Sequence, residues 1–211
     1  MVRTLYEAKD GKFTWIDVVD PDKAELEAVA RAYKLHPNSV EDCLEPTHLP
    51  KYERIRDVVF VILRAHDEDH VGECESVQQL TRKLAIFIGQ NFIITIHRAN
   101  MAFFTRFAAR WTDGLRTGDE HPYAVLLALM GHVAESYEPP LAEGDRIMDR
   151  YEYTVFNDPR TPFDFREFYN YKRKIALIKK MLRMTLEVQQ KIDVRELASL
   201  PDAGPRMQDL K

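Results

Sequence analysis

Two cysteines in 211 residues, Cys43 and Cys74, are too few for a disulfide framework and fit a reducing compartment. Long apolar runs are missing as well. The longest, Ala124 to Met130, has seven residues, against the roughly 18 to 20 of a spanning helix, so the chain reads as soluble. Met1-Val2-Arg3-Thr4 opens no signal-peptide core. There is no basic excess either: the net charge is −4 and the pI about 6.0, which argues against nucleic acid as a partner. The chain also lacks a Gly-rich phosphate loop, a nucleophile elbow and a His-Glu-x-x-His helix. No enzymatic activity is expected of it.

What is present is 45% hydrophobic, enough for one globular domain with an appended element or for two small domains. Phe13 to Val19 is β-branched and aromatic and reads as a strand. Asp20-Pro21 reads as a helix start, with a capping carboxylate and a proline in the first turn. A second helix begins at Pro37; Val40 and Leu44 share one face, and Glu41 and Asp42 point away from it. Pro50 closes that region, and Val58 to Leu63 is a strand candidate. Gln79 to Ile88 and Phe92 to His97, joined by Gly89-Gln90-Asn91, form a hairpin whose near-continuous apolar runs imply cover on both faces. Phe103 to Trp111 reads as a short helix. The order predicts a mixed α/β layered domain over residues 1–118.

Residues 119–200 read as a long helical hairpin. Its first arm, His121 to about Phe156, is interrupted at Pro139-Pro140, where each proline deletes a donor and crowds the preceding turn. The second runs from Asp164 to about Asp193. Seven acidic residues lie between Glu135 and Asp158, and eight basic ones between Arg166 and Lys191. The simplest expectation is mutual attraction of the two arms. Residues 201–211 read as a loop and the opening of a further helix at Met207.

Two clusters could bind a cation. His66, Asp67, Asp69 and His70 sit in a polar stretch ending at Glu75 that holds five carboxylates and Cys74. Histidines four apart on a hairpin loop do not converge as they would on a helix, so a solvated loop is favoured over a weak zinc site. Glu41-Asp42 supplies the one or two carboxylates that Mg2+ takes alongside water, which is half a site. A hydrolase reading, with Asp17, Asp20, Glu41 and Asp42 around a metal, lacks a nucleophile and a base.

The order of motifs carries more than any one of them. Trp15-Ile16-Asp17-Val18 with Asp20-Pro21, then Leu35-His36-Pro37 with Val40-Glu41-Asp42-Cys43-Leu44, come first. Pro50-Lys51-Tyr52-Glu53, Val58 to Arg64, the Leu84 to Arg98 hairpin and Lys172-Arg173-Lys174 follow. Together they resemble the cytoplasmic domain of the CorA family of divalent-cation channels and transporters. The resemblance implies a three-layer αβα domain with a mixed central sheet, followed by long α-helices that form a funnel in a homopentamer. It implies a place on the cytoplasmic face of the inner membrane, held there by transmembrane helices that this chain does not contain. Asp42 matches a family ligand for regulatory Mg2+ between subunits, and Glu41 a second ligand beside it. The partner aspartate is expected beyond Lys211, and a further ligand position falls near Met130, which offers no oxygen to a hard cation. The transported ion could be Mg2+, Co2+, Ni2+ or, in the ZntB-like branch, Zn2+; a free-standing cytosolic metal-binding regulator is the other alternative. In the implied mechanism Mg2+ holds the funnel closed, and on its departure bare carboxylates about 5 Å apart repel by roughly 3 kcal/mol per pair at an effective dielectric near 20.

Overall fold

The apolar runs of the sequence become the middle of a six-stranded sheet ordered β1-β2-β6-β5-β4-β3. The computed structural model describes all residues except 10, 71, 99–100, 115–120, 158–163 and 194–211. The strands are β1 (Val2–Glu7), β2 (Thr14–Val19), β3 (Lys51–Ile55), β4 (Val58–His66), β5 (Thr81–Ile88) and β6 (Phe92–His97). β2 and β6 run parallel and every other pair is antiparallel, so the sheet is mixed. β4, β5 and β6 are buried on both faces, as their continuous apolar runs require. At the β5–β6 turn a Cβ on Gly89 would lie 2.2 Å from the Phe92 ring, so this position tolerates no side chain without the ring moving.

The helices are α1 (Lys23–Tyr33), α2 (Pro37–Leu44), α3 (Val77–Leu80), α4 (Ala102–Asp113), α5 (Pro122–Glu135), α6 (Glu138–Asn157) and α7 (Phe165–Gln190). α1 and α2 cover one sheet face through Leu26, Val29, Val40 and Cys43 against Phe60, Ile62, Phe87 and Ile94. α4, α5 and α7 cover the other, around Trp15, Val61, Leu63 and Ile86. This is the three-layer αβα arrangement. The expected boundary at 118 lies outside the described residues, and the core continues past it. Val125, Leu126 and Leu129 of α5 share one cluster with the sheet.

Several element limits differ from the sequence reading. The cap of α1 is Asp22, which accepts from the Glu25 amide at 2.7 Å while Glu25 bonds back to the Asp22 amide. This reciprocal box satisfies two orphan donors, which is why it takes the cap from Asp20. Asp20 instead turns the chain with φ 44°. Likewise Ser76 and Gln79 box the short α3, so β5 begins at Thr81 and not at Gln79. The long first arm is two helices. α5 ends at Glu135, and Pro139-Pro140 occupy the first turn of α6, where missing donors cost nothing.

The charges of α6 and α7 do not attract in the expected way. Among the described residues a single ion pair crosses between them, Arg150–Glu167 at 2.8 Å. Each partner is the minority charge of its own helix. Gly144 lets the helices approach, since a Cβ there would meet Ile175 at 3.1 Å.

Candidate metal-responsive site on α2

α2 forms because Pro37 stands at its first position and the His36 ring caps the Asn38 amide at 3.3 Å. Val40, Cys43 and Ser39 face the sheet. Burial pushes the Cys43 thiol up to about 12, so it is inert. The far end of the helix is gripped from below. Lys83, on β5, donates to the carbonyls of Asp42 at 2.7 Å and Cys43 at 2.9 Å, and also to that of Glu45. A cation on the last carbonyls is where the helix dipole favours it. Burial nonetheless brings the Lys83 amine down to about 8. Arg64, 2% exposed on β4, holds the next stretch by donating to the carbonyls of Pro46 at 3.0 Å and His48 at 2.7 Å. Neither residue is apparent as part of a site from the sequence. The available signal is a basic residue at each end of a buried apolar run.

Glu41 and Asp42 have different surroundings. Glu41 is exposed and has no partner among the described residues; it stands at the rim of a groove of about 480 Å³ between α1 and α2. Asp42 is half-buried and committed. Its Oδ2 lies 2.6 Å from Lys51 Nζ and its Oδ1 2.8 Å from His48 Nε2. Burial alone would raise the Asp42 carboxyl, but Lys51 and His48 outweigh it and hold the group below the usual carboxylate range. Lys51 also reaches Glu53 at 3.0 Å and lies 5.2 Å over the Phe60 ring. An ammonium therefore occupies a small cage of two carboxylates and an aromatic face. The donor chemistry is the hard-oxygen type that Mg2+ takes, but the two α2 carboxylates do not meet at one point within this chain. A divalent ion gains Asp42 only in exchange for Lys51, and needs further oxygens from another surface.

The other sequence candidates have other surroundings. His66 ends β4, 8% exposed, with its ring against Tyr137. Burial and the neighbouring Lys174 bring its imidazole down to about 4. Three carboxylates of the 66–75 stretch each meet an arginine from a different element: Asp67–Arg82 at 2.6 Å, Glu68–Arg106 at 2.5 Å and Glu73–Arg166 at 2.9 Å. Asp69 donates its amide to Asp67, and His70 Nε2 is buried without a partner among the described residues. Those residues contain no group of three His, Cys, Asp or Glu placed to hold a metal ion. Met130 is core, 1% exposed. Asp17 is wholly buried beneath Arg3 (2.7 Å), Thr95 (2.7 Å) and His97 (3.2 Å), an internal network that leaves no face for a metal. Residues 201–211 lie outside the described residues.

This fold, a mixed sheet between helical layers followed by α6 and α7, is shared with solved structures. The soluble domain of CorA from Methanocaldococcus jannaschii superposes with a TM-score of 0.73 at 17% identity, over 96% of this chain and 79% of that one. The ZntB cytoplasmic domain from Vibrio parahaemolyticus gives 0.70 at 12% identity, over 94% and 78%. The full-length CmaX protein gives 0.77 at 15% identity, over 94% of this chain and 61% of that one. A putative metal ion transporter of Bacillus subtilis, YfjQ, is 22% identical over 136 residues, which are 63% of this chain and 39% of that protein. The chain thus corresponds to part of the length of these last two relatives. The family described as CorA-like Mg2+ transporter protein matches residues 10–211, and the chain belongs to it. Among the described residues no helix is long and apolar enough to cross a membrane.

Proposed function

We propose that this chain is the cytoplasmic regulatory domain of a divalent-metal-ion transporter, with Mg2+ the first candidate for the ion it senses. The observation that carries this reading is the α2 end, where two carboxylates stand on a helix whose last carbonyls are held by Lys83 and whose following loop is held by Arg64. Family membership supplies the transporter context. In the intact protein the chain would assemble as a homopentamer, with the ion sitting between Glu41–Asp42 of one copy and oxygens of the next. The bound ion would supply the bridging positive charge. The chain's own residues fix how much repulsion its loss produces. Lys51, 2.6 Å from Asp42, cancels much of that carboxylate's charge, so the repulsion of bare carboxylates falls chiefly to Glu41.

Limited proteolysis of the full-length transporter across a Mg2+ series tests this. Asp42→Ala and Glu41→Gln should each move protection to higher Mg2+; unchanged protection in both would sink the assignment. A Zn2+ reading of the ZntB type is favoured by one observation: His48 and Asp42 meet at 2.8 Å, and an imidazole beside a carboxylate is a zinc-type donor pair. Calorimetry comparing Zn2+ with Mg2+ separates the two, with His48→Ala lowering affinity for Zn2+ alone.

A further inference from the structure

A second cleft, of about 500 Å³, opens on the opposite side of the sheet from α2, where α4, the end of α5, the start of α6 and α7 meet. Its apolar wall is Phe103 and Phe107, with the His132 ring edge-on to Phe107 at 4.9 Å. Around the opening stand Arg106, Arg110 and Lys174, from α4 and α7, with Glu68 and Glu135 between them. Glu68 takes Arg106 at 2.5 Å, whereas Glu135 is exposed at the rim with the His132 ring 3.6 Å away. Arg110 and Lys174 have no acidic partner among the described residues, although several carboxylates nearby are paired with other arginines. Lys174 is half-buried in this wall and close enough to His66 to help keep that imidazole neutral. Two cations without an acidic partner among the described residues, Arg110 exposed and Lys174 with its ammonium 6.0 Å over the Tyr171 ring, stand beside an aromatic wall in a space of ligand size, an arrangement that selects an anion with an apolar or planar body.

We propose that this cleft binds a small phosphate-bearing molecule, its phosphate held by Arg110 and Lys174 and its body against Phe103 and Phe107. Guanidinium offers a planar fork to phosphate oxygens and ammonium a point charge, the two complementary modes of phosphate recognition. A nucleotide uses both parts of the cleft; free phosphate uses one. The site shares no residue with α2, so its ligand is independent of the ion reading.

Calorimetry of the whole chain with ADP, inorganic phosphate and adenosine tests the proposal. ADP or phosphate should bind saturably, with Kd below about 1 mM. Arg110→Ala and Lys174→Ala should each weaken that binding about tenfold with unchanged melting temperature. Arg110→Lys, which keeps the charge and loses the fork, should fall between the wild type and Arg110→Ala. ADP binding more tightly than phosphate assigns a nucleotide, and equal affinity assigns phosphate itself. Absence of saturable binding by both anions, or binding that persists in both alanine variants, overturns the proposal.

Discussion

Replacing Lys51 with methionine removes the charge that competes for Asp42 while keeping the side-chain length that lies against Phe60. The ammonium is 2.6 Å from Oδ2, and both side chains are 24% exposed. With charge centres about 4 Å apart and an effective dielectric near 20, the Coulomb attraction is about 4 kcal/mol. Exposed pairs realise only about 0.2 to 1 kcal/mol of such attraction after screening and side-chain ordering. A half-buried pair should fall between these limits, at about 1 to 2 kcal/mol. A divalent ion that displaces Lys51 forfeits that amount, so Lys51→Met should tighten divalent binding by about 5- to 30-fold. The readout is the Mg2+ midpoint for protection of the full-length protein from proteolysis, which should move to lower concentration. Lys51→Arg keeps the charge and serves as the control, with a midpoint near that of the wild type. A Lys51→Met midpoint that stays in place, or moves to higher Mg2+, would refute the competition argument.

Two further substitutions probe the scaffold. Asp17→Asn should destabilise the domain by about 2 to 3 kcal/mol in urea unfolding, because it removes the buried charge that His97 and the partly exposed Arg3 meet. Burial would raise the Asp17 carboxyl, but His97, Thr95 and Arg3 together lower it. Its contribution is therefore full above the usual carboxylate range and lost as pH falls through the depressed value. The gap between wild type and Asp17→Asn should shrink below about pH 4; a gap constant from pH 7 to 3 would contradict the network. Tyr137→Phe removes a buried hydroxyl donating at 2.7 Å to the Arg64 carbonyl. It should cost about 1 kcal/mol and quicken amide exchange locally at the β4 end, because that bond ties the α5–α6 junction to the sheet; unchanged exchange there would refute it.

The central strands were legible because burial on both faces leaves a sequence no room for polar residues; Val59 to Leu63 and Leu84 to Ile88 show this directly. Edge strands β1 and β3 were not. Arg3, Lys51 and Glu53 stand on a half-exposed edge, and alternation there looks like any polar stretch until a partner strand is known. The proline pair marked a break but not which side of it the new helix would take. Glu41-Asp42 was visible as a pair; that Asp42 is occupied was not, because Lys51 is nine positions away and arrives by the return of β3. The same holds for the 66–75 stretch. Its carboxylates looked free in sequence because the arginines that meet them come from β5, α4 and α7.

The grip on the end of α2 and on the loop after it is made through the backbone. Lys83 and Arg64 hold carbonyl oxygens, which every residue supplies, and not the side chains of the residues they fix. The side chains of Glu41, Asp42, Glu45 and Thr47 can therefore vary without breaking the bonds that tie the end of α2 to β5 and the loop after it to β4. Under the proposed function, such variation would decide what the carboxylate cage holds: the Lys51 ammonium it holds here, a hard divalent ion, or a softer one drawn by His48.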